Sequence, residues 1–578
     1  MGKGKKRPQI SSPQSSCPCA ETTSPQDPPS LGARKPPDSP IDRKVKKKRK
    51  RRSSGVSSDV VSYPAPDVCP PQVSPKLWRR FYEPLVLLVA YGKSQGPHFK
   101  SIDREYRWSD DNEDIRRRFL DQLAYVCDYE RGGDTVTAIA IEDGPQLKYW
   151  IAGNTNKGPK FEPHISKILN NLEKVFGASD EDISALRSQI SDRVIDFCSA
   201  RLKSYRSQLH SMAQACLKEL RMEDTEDAQA LKIWLTSLCD QDLDLKALSR
   251  LCYDARSSKE LVSVTRRAEE TKRRQNCPSG GKYGQIRHLI GRLGSHIKAA
   301  GVLVEAGRHH PQLFLEYSVE VAACHSKFEP PDYCNKSSIN GIINRMVNDP
   351  SRCKYYQNEI HARDLKFNQK LQSNIEKTYK DPTFKLKVHA EIILHDLFYR
   401  NNLQYLKGLR YIGVSKPSCF LCYRYLQAHT GMAVQTSGCS NNLYLGWQPP
   451  YIQDASPSSL KDQEGILNKM NQEIRKFVLD KIVPGYRGLK PHPDSTTGIE
   501  TPLSVRKATP ISHSQSVPVQ AVPSESFQNI DFLPPKPLGF DSIDAADELS
   551  GHFGGGVPLE SSDQYFYNSD DGGVSLFA

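Results

Sequence analysis

Two short motifs in this chain carry side chains suited to activating water. His389-Ala390-Glu391 offers an imidazole and, two places on, a carboxylate, and Cys419-Phe420-Leu421-Cys422 offers two thiolates. One imidazole and two thiolates suit Zn²⁺, and three protein ligands leave its fourth tetrahedral position to water. That water's pKa falls to about 7, so hydroxide is available at neutral pH. A carboxylate that is not a ligand can then take the water's proton and return it to a leaving group, acting as base and acid in turn. Glu391 has the place for that work.

Spacing dictates which elements must position these groups. Cys419 and Cys422, three apart, share a face at the first turn of an apparent helix over 419–429, where the positive end of the helix dipole favours thiolates. His389 and Glu391, two apart, do not share a helix face and converge only at a helix start. The sequence permits one there: 384–388 alternates apolar and basic residues, and 390–398 has apolar residues at helical spacing. Between the motifs, Tyr411-Ile412-Gly413-Val414 reads as a short buried strand feeding the cysteine pair. Helix, strand, helix, with His-x-Glu ahead of Cys-x-x-Cys, is the ligand order of zinc-dependent nucleobase deamination, in which hydroxide attacks C4 of cytosine or C6 of adenine. Each motif alone is ambiguous. Of the fifteen histidines only His389 has Glu two places on, yet most histidines are not ligands, and a Cys-x-x-Cys can serve zinc, redox chemistry or neither. A structural zinc site would need a fourth protein ligand, for which Cys439, His429 and Cys353 are the candidates.

The stretch His389-Ala390-Glu391-Ile392-Ile393-Leu394, followed by Ser415-Lys416-Pro417-Ser418-Cys419-Phe420-Leu421-Cys422, resembles the OTT-type, largely fungal branch of the cytidine deaminase-like superfamily. The Ser-Lys-x-x-Cys-Phe-Leu-Cys wording is its specific part, and the close match spans 388–430. The resemblance implies a central sheet flanked by helices, with His389, Cys419 and Cys422 as zinc ligands and Glu391 as proton shuttle. It also implies a nucleic acid or nucleotide substrate. Ser418 stands where the wider superfamily has Pro, so substrate contacts near it do not transfer.

A deaminase fold opens with a helix and a two-stranded hairpin, but 352–380, just ahead of His389, has a helical pattern. The opening lies much earlier: a helix pattern at 114–127 with Ile115, Phe119, Leu120 and Leu123 on one face, strands at 135–141 and 146–152, and a turn at 142–145 between them. The sequence therefore predicts an α/β fold with a deaminase-like three-layer α/β/α core, divided into 76–159 and 381–490 by a helical insertion over 160–380. Disordered tails over 1–75 and 491–578 complete the chain. Asn154, just past the second strand, takes the place where the superfamily has an Asn against the substrate's sugar or base; a turn Asn after Gly is the plainer reading. Within the insertion, 179–182 reads as a helix cap, helical patterns continue at 228–239, 261–274, 286–306 and 338–348, and Arg266, Arg267, Lys272, Arg273 and Arg274 either track phosphates or form a solvated face. A strand at 432–436 and a last core helix at 464–482, with Ile466, Leu467, Met470, Ile474, Phe477, Val478 and Ile482 inward, follow the cysteines.

Charge is uneven. Residues 1–75 carry +9 and 491–578 carry −9, so the middle holds the whole +13 of the chain, which is compatible with a nucleic-acid substrate. The basic run over 43–52 reads as a nuclear localisation signal. No signal-peptide pattern is evident and no apolar run is long enough to span a membrane, so an intracellular chain, nuclear rather than cytoplasmic, is expected. Fifteen irregularly spaced cysteines show no disulfide framework. The tails could bind protein partners. The expected function is zinc-dependent hydrolytic deamination of a cytosine or adenine base. The alternative is a nuclear scaffold or interaction protein that keeps the zinc without turnover.

Overall fold

A computed structural model of the chain describes residues 68–92, 99–100, 112–155, 160–240, 242–275 and 280–482. The basic run 43–52 and the acidic segment 491–578 lie outside the described residues. The described chain is mixed α/β, with fifteen α-helices around small sheets.

The run Thr137-Ala138-Ile139-Ala140-Ile141 alternates small and large side chains, and the sheet uses that alternation to serve two different neighbours. Strand Thr137–Glu142 pairs antiparallel with Leu147–Gly153, Ile139 opposite Ile151. Its other edge pairs antiparallel with Gly413–Val414, Ala138 opposite Val414 and Ile139 opposite Gly413. Tyr317–Val321 joins the far edge of Leu147–Gly153 in parallel. Successive strand side chains face opposite sides. Ile139, Ile141, Tyr149 and Ile151 share a core with Phe119, Leu120 and Leu123 of helix Asn112–Tyr125. Ala138, Ala140 and Ala152 share another with Ala390, Ile392 and Ile393 of helix Ala390–Arg400. Helices thus cover both faces, and alanines line the one over which Glu391's helix lies.

Backbone approach is closest at Gly413, where a Cβ would lie 2.5 Å from Leu120 O and 2.6 Å from Leu120 Cβ. The next residue of that helix, Asp121, fixes the contact: its carboxylate accepts the Tyr411 hydroxyl at 2.7 Å and the Val414 amide at 3.1 Å. Burial raises this carboxyl from 3.8 to about 7, although both hydrogen bonds favour its ionised form.

Four features differ from the sequence-based expectation. First, 160–380 is not wholly helical. Tyr-Ser-Val-Glu-Val at 317–321 alternates as a strand does and supplies the sheet's edge, and Lys327–Phe328 pairs in parallel with Val68–Cys69. Its helices also share one continuous core with the isoleucine face of the sheet, through the long helix Gly281–His309, which packs on Asn112–Tyr125. Second, structure begins before residue 76: Val68–Cys69 is a strand, and Ser74 caps helix Pro75–Ala90 by accepting the Leu77 amide. Third, 432–436 forms no strand; only Gln435 bridges to Tyr411, and the short strand is Gly438–Cys439. Fourth, in the last helix, Pro457–Ile482, Ile466 and Phe477 are only partly buried, whereas Leu467, Met470, Ile474, Val478 and Ile482 are fully so. This helix packs on both Pro75–Ala90 and Phe420–Ala428, so its buried stripe is set by two neighbours rather than one.

A carboxyl whose folded pKa is raised costs no stability below its unfolded value and progressively more as pH rises towards its folded value. Between about pH 4 and about pH 7 Asp121 should therefore subtract from urea stability as pH rises, while the buried His164, His395 and His429, each lowered to about 4 by burial, add to it. Asp121→Asn should make stability rise more steeply with pH across that window, and an unchanged pH dependence would contradict the assignment to this carboxyl.

Candidate metal centre

Both motifs lie at helix starts. His389 is the N-cap of Ala390–Arg400, in extended backbone conformation, which turns its ring towards the same place as Glu391 in the first turn. Cys419 is the N-cap of Phe420–Ala428, and its sulfur accepts the Cys422 amide at 3.4 Å, holding both sulfurs on one side of that turn. The two helix starts meet: His389 Nδ1 lies 3.5 Å from Cys419 Sγ and 3.3 Å from Cys422 Sγ. All three residues are buried, their ligand atoms lie within 4.8 Å of one another, and among the described residues no other such group of three exists.

Electrostatics suit a cation. Burial pushes the Cys419 thiol up, but the Cys422 hydrogen bond and the neighbouring His389 outweigh it and hold Cys419 well below the usual thiol range. Cys422 is driven well above that range by burial and by the Cys419 sulfur. The pair therefore shares a proton that a bound metal would displace. Two sulfurs and one imidazole nitrogen at this separation fit Zn²⁺, whose ligand set they match in type and number. Glu391 is buried beside them and outside the ligand group, its carboxyl raised by burial against the influence of His389.

The candidates for a fourth ligand lie outside the close group of ligand atoms and have other hydrogen-bond partners. Cys439 Sγ accepts the Asn441 amide at 3.2 Å, His429 Nδ1 accepts the Met432 amide at 3.2 Å, and Cys353 Sγ donates to Asn344 Oδ1 at 2.8 Å. None belongs to the ligand group.

Asn154 reaches the centre through the backbone. Its Oδ1 accepts the amide of Ala390, the residue between His389 and Glu391, at 2.8 Å, and its Nδ2 donates to Gly133 O at 2.7 Å. Ser418 also has a definite place. Its amide donates to Gly438 O at 3.0 Å and its hydroxyl meets Thr436 Oγ1 at 3.1 Å. Proline could not supply that amide. Sequence reasoning missed the wall this creates: Gly438 to Asn442 binds the chain around Cys419, with Phe420 N donating to Asn442 O at 2.9 Å. A loop over 128–135 that touches both motif segments was missed as well. Neither carries a motif, although Gly132-Gly133 marks the loop as a place where the backbone turns sharply.

Residues 388–451 match the family model of the OTT_1508-like deaminases. No curated protein and no solved structure matches the chain.

Metal analysis of the purified full chain should give about one zinc in wild type, Glu391→Ala and Cys439→Ala, and none in Cys419→Ala. Loss of zinc on removing Cys439 would show a four-ligand structural site instead.

Proposed function

We propose that this chain, a member of the OTT-type deaminase family, catalyses zinc-dependent hydrolytic deamination of a cytosine or adenine base in nucleic acid or nucleotide. The observation that carries this reading is the convergence of His389, Cys419 and Cys422 on one buried point with a buried, non-ligating Glu391 in the adjacent turn. A scaffold holding structural zinc has no use for that carboxylate. Residues 76–159 and 381–490 are read as two parts of one deaminase core, and the pairing of Thr137–Glu142 with Gly413–Val414 supports this.

Zn²⁺ held by His389, Cys419 and Cys422 would supply a Lewis acid that makes water nucleophilic near neutral pH. Glu391 takes the proton from the attacking water and returns it to the ring nitrogen; it then takes the second proton, from the hydroxyl now bonded to carbon, and passes it to the amine as the C–N bond breaks, leaving a carbonyl and releasing ammonia. Its low-dielectric setting raises the carboxyl towards the pKa at which one group can both accept and donate. Asn154, with one Nδ2 hydrogen beyond its bond to Gly133, is the proposed contact to the sugar or base.

The ion pairs of Arg266 and Arg267 support the solvated-face reading of the basic run 266–274 over a phosphate track. Arg266 pairs with Asp227, and Arg267 grips Glu223 through both terminal nitrogens. Lys272 pairs with Glu269. No helix among the described residues is long and apolar enough to cross a membrane. A nuclear location rests on the basic run 43–52, and protein partners would be met by the tails.

Zinc-loaded full chain incubated with mononucleotides, single-stranded DNA and RNA should convert cytosine to uracil or adenine to hypoxanthine, read by nucleoside mass spectrometry. Glu391→Gln should keep zinc and fold while losing at least about 10²-fold in rate. No conversion of any of these substrates by zinc-loaded wild type would leave the scaffold reading.

A further inference from the structure

The loop over 128–135, between helix Asn112–Tyr125 and strand Thr137–Glu142, receives a polar contact from each segment of the metal centre. From the cysteine side, Lys416, three residues ahead of Cys419, donates to Gly132 O at 2.8 Å and lies 3.9 Å from Asp128 Oδ2. From the histidine side, Asn154 bridges Gly133 O to the Ala390 amide, and Lys387, two residues ahead of His389, pairs with Asp134 at 2.9 Å. The loop thus stands between the two ligand-bearing turns and is bonded towards both.

What holds the loop comes from outside the motifs. Arg201, on helix Ser199–Leu220, places Nη1 2.8 Å from both Asp128 Oδ2 and Asp128 O, with side-chain exposures of 1% and 0% for the pair. Arg201 is itself oriented by Nε donating to the Tyr205 hydroxyl at 2.8 Å. Thr135 closes the loop at its far end by donating to Asp128 Oδ1 at 2.6 Å. A fully buried ion pair of this kind is poor at adding stability but strict about geometry, because either charge alone is intolerable there. Lys416 is buried as well, so the ammonium that reaches Gly132 has no solvent alternative.

We infer that the helical stretch between the two core segments is a positioning element for the metal centre. Arg201 sets the loop through Asp128, and the loop sets the spacing of the two ligand turns through Lys416 and Asn154. Lys416 and Asn154 are positioning residues: neither supplies a ligand, and each acts by fixing the backbone that does. The inference rests on the metal reading above and adds that ligand geometry depends on residues far from either motif in sequence.

Co²⁺, whose visible bands report ligand type and geometry, is the probe, added to the metal-free full chain. Lys416→Met and Asn154→Ala should each weaken Co²⁺ binding by about 10- to 100-fold, the usual effect of removing an outer partner of a metal site, and should alter the bands of the saturated protein. Arg201→Met alone leaves a buried charge and can fail to fold. Because Lys416 also faces Asp128, the variant Asp128→Asn/Arg201→Met/Lys416→Met removes all three buried charges and should fold, with the same loss of affinity. Leu235→Ala, which empties core space inside the helical stretch away from the loop, should lower the melting temperature and leave Co²⁺ affinity and bands unchanged. Wild-type affinity and bands in Lys416→Met and Asn154→Ala, or an equal loss in Leu235→Ala, would overturn the inference while the metal site stands. Failure of well-folded wild type to bind Co²⁺ would overturn the metal reading and the inference together.

Discussion

Three candidate ligand atoms from two helix starts meet at one buried point, and the core on that side of the sheet is arranged to let them do so. A helix start is where side chains two apart can converge, and where the dipole's positive end tolerates thiolates and a carboxylate. Bringing two such starts together needs a platform that lets one helix lie low. The alanines at 138, 140 and 152 provide it beneath the helix bearing Glu391. Gly413, pressed against the backbone of Leu120, brings in the strand that leads to the cysteines.

The opposite face of the same sheet has a different task. Its isoleucines and Tyr149 continue into the core of the helical stretch, so these helices are built onto the sheet through shared burial and not as an appendage on a linker. Burial there is apolar and permissive about position. The polar contacts at 128–135 are directional, and they are the means by which a broad apolar interface can set a position to fractions of an ångström. Apolar packing therefore joins the two bodies, while Asp128, Arg201 and Lys416 decide their register.

Much of this was legible from residue types and spacing. Alternation marked the hairpin within about two residues at each end, and the cysteine helix came out at Phe420–Ala428 with Cys419 and His429 as its caps. The grouping of His389, Cys419 and Cys422 was expected from the order of the two motifs and the family resemblance. What escaped the sequence were features without periodicity. Tyr317–Val321 is a lone five-residue strand whose partner lies about 170 residues earlier, so nothing local announces it. Helix Pro75–Ala90 has no counterpart among the sequence-based expectations, and it holds Pro84 in its interior, where proline usually argues against a helix. Besides the substrate contact proposed for it, Asn154 bonds the Ala390 amide, 236 positions further along the chain, and nothing local announces that contact.

The central claim is that the centre holds zinc with three protein ligands, two of them sulfur, leaving a position open to water. X-ray absorption at the zinc edge of the loaded full chain tests it most directly. Two Zn–S distances of about 2.3 Å and two nitrogen or oxygen distances of about 2.0–2.2 Å, one from His389 and one from solvent, are expected. Three or four sulfur ligands, or a closed set of four protein ligands of any kind, would contradict it.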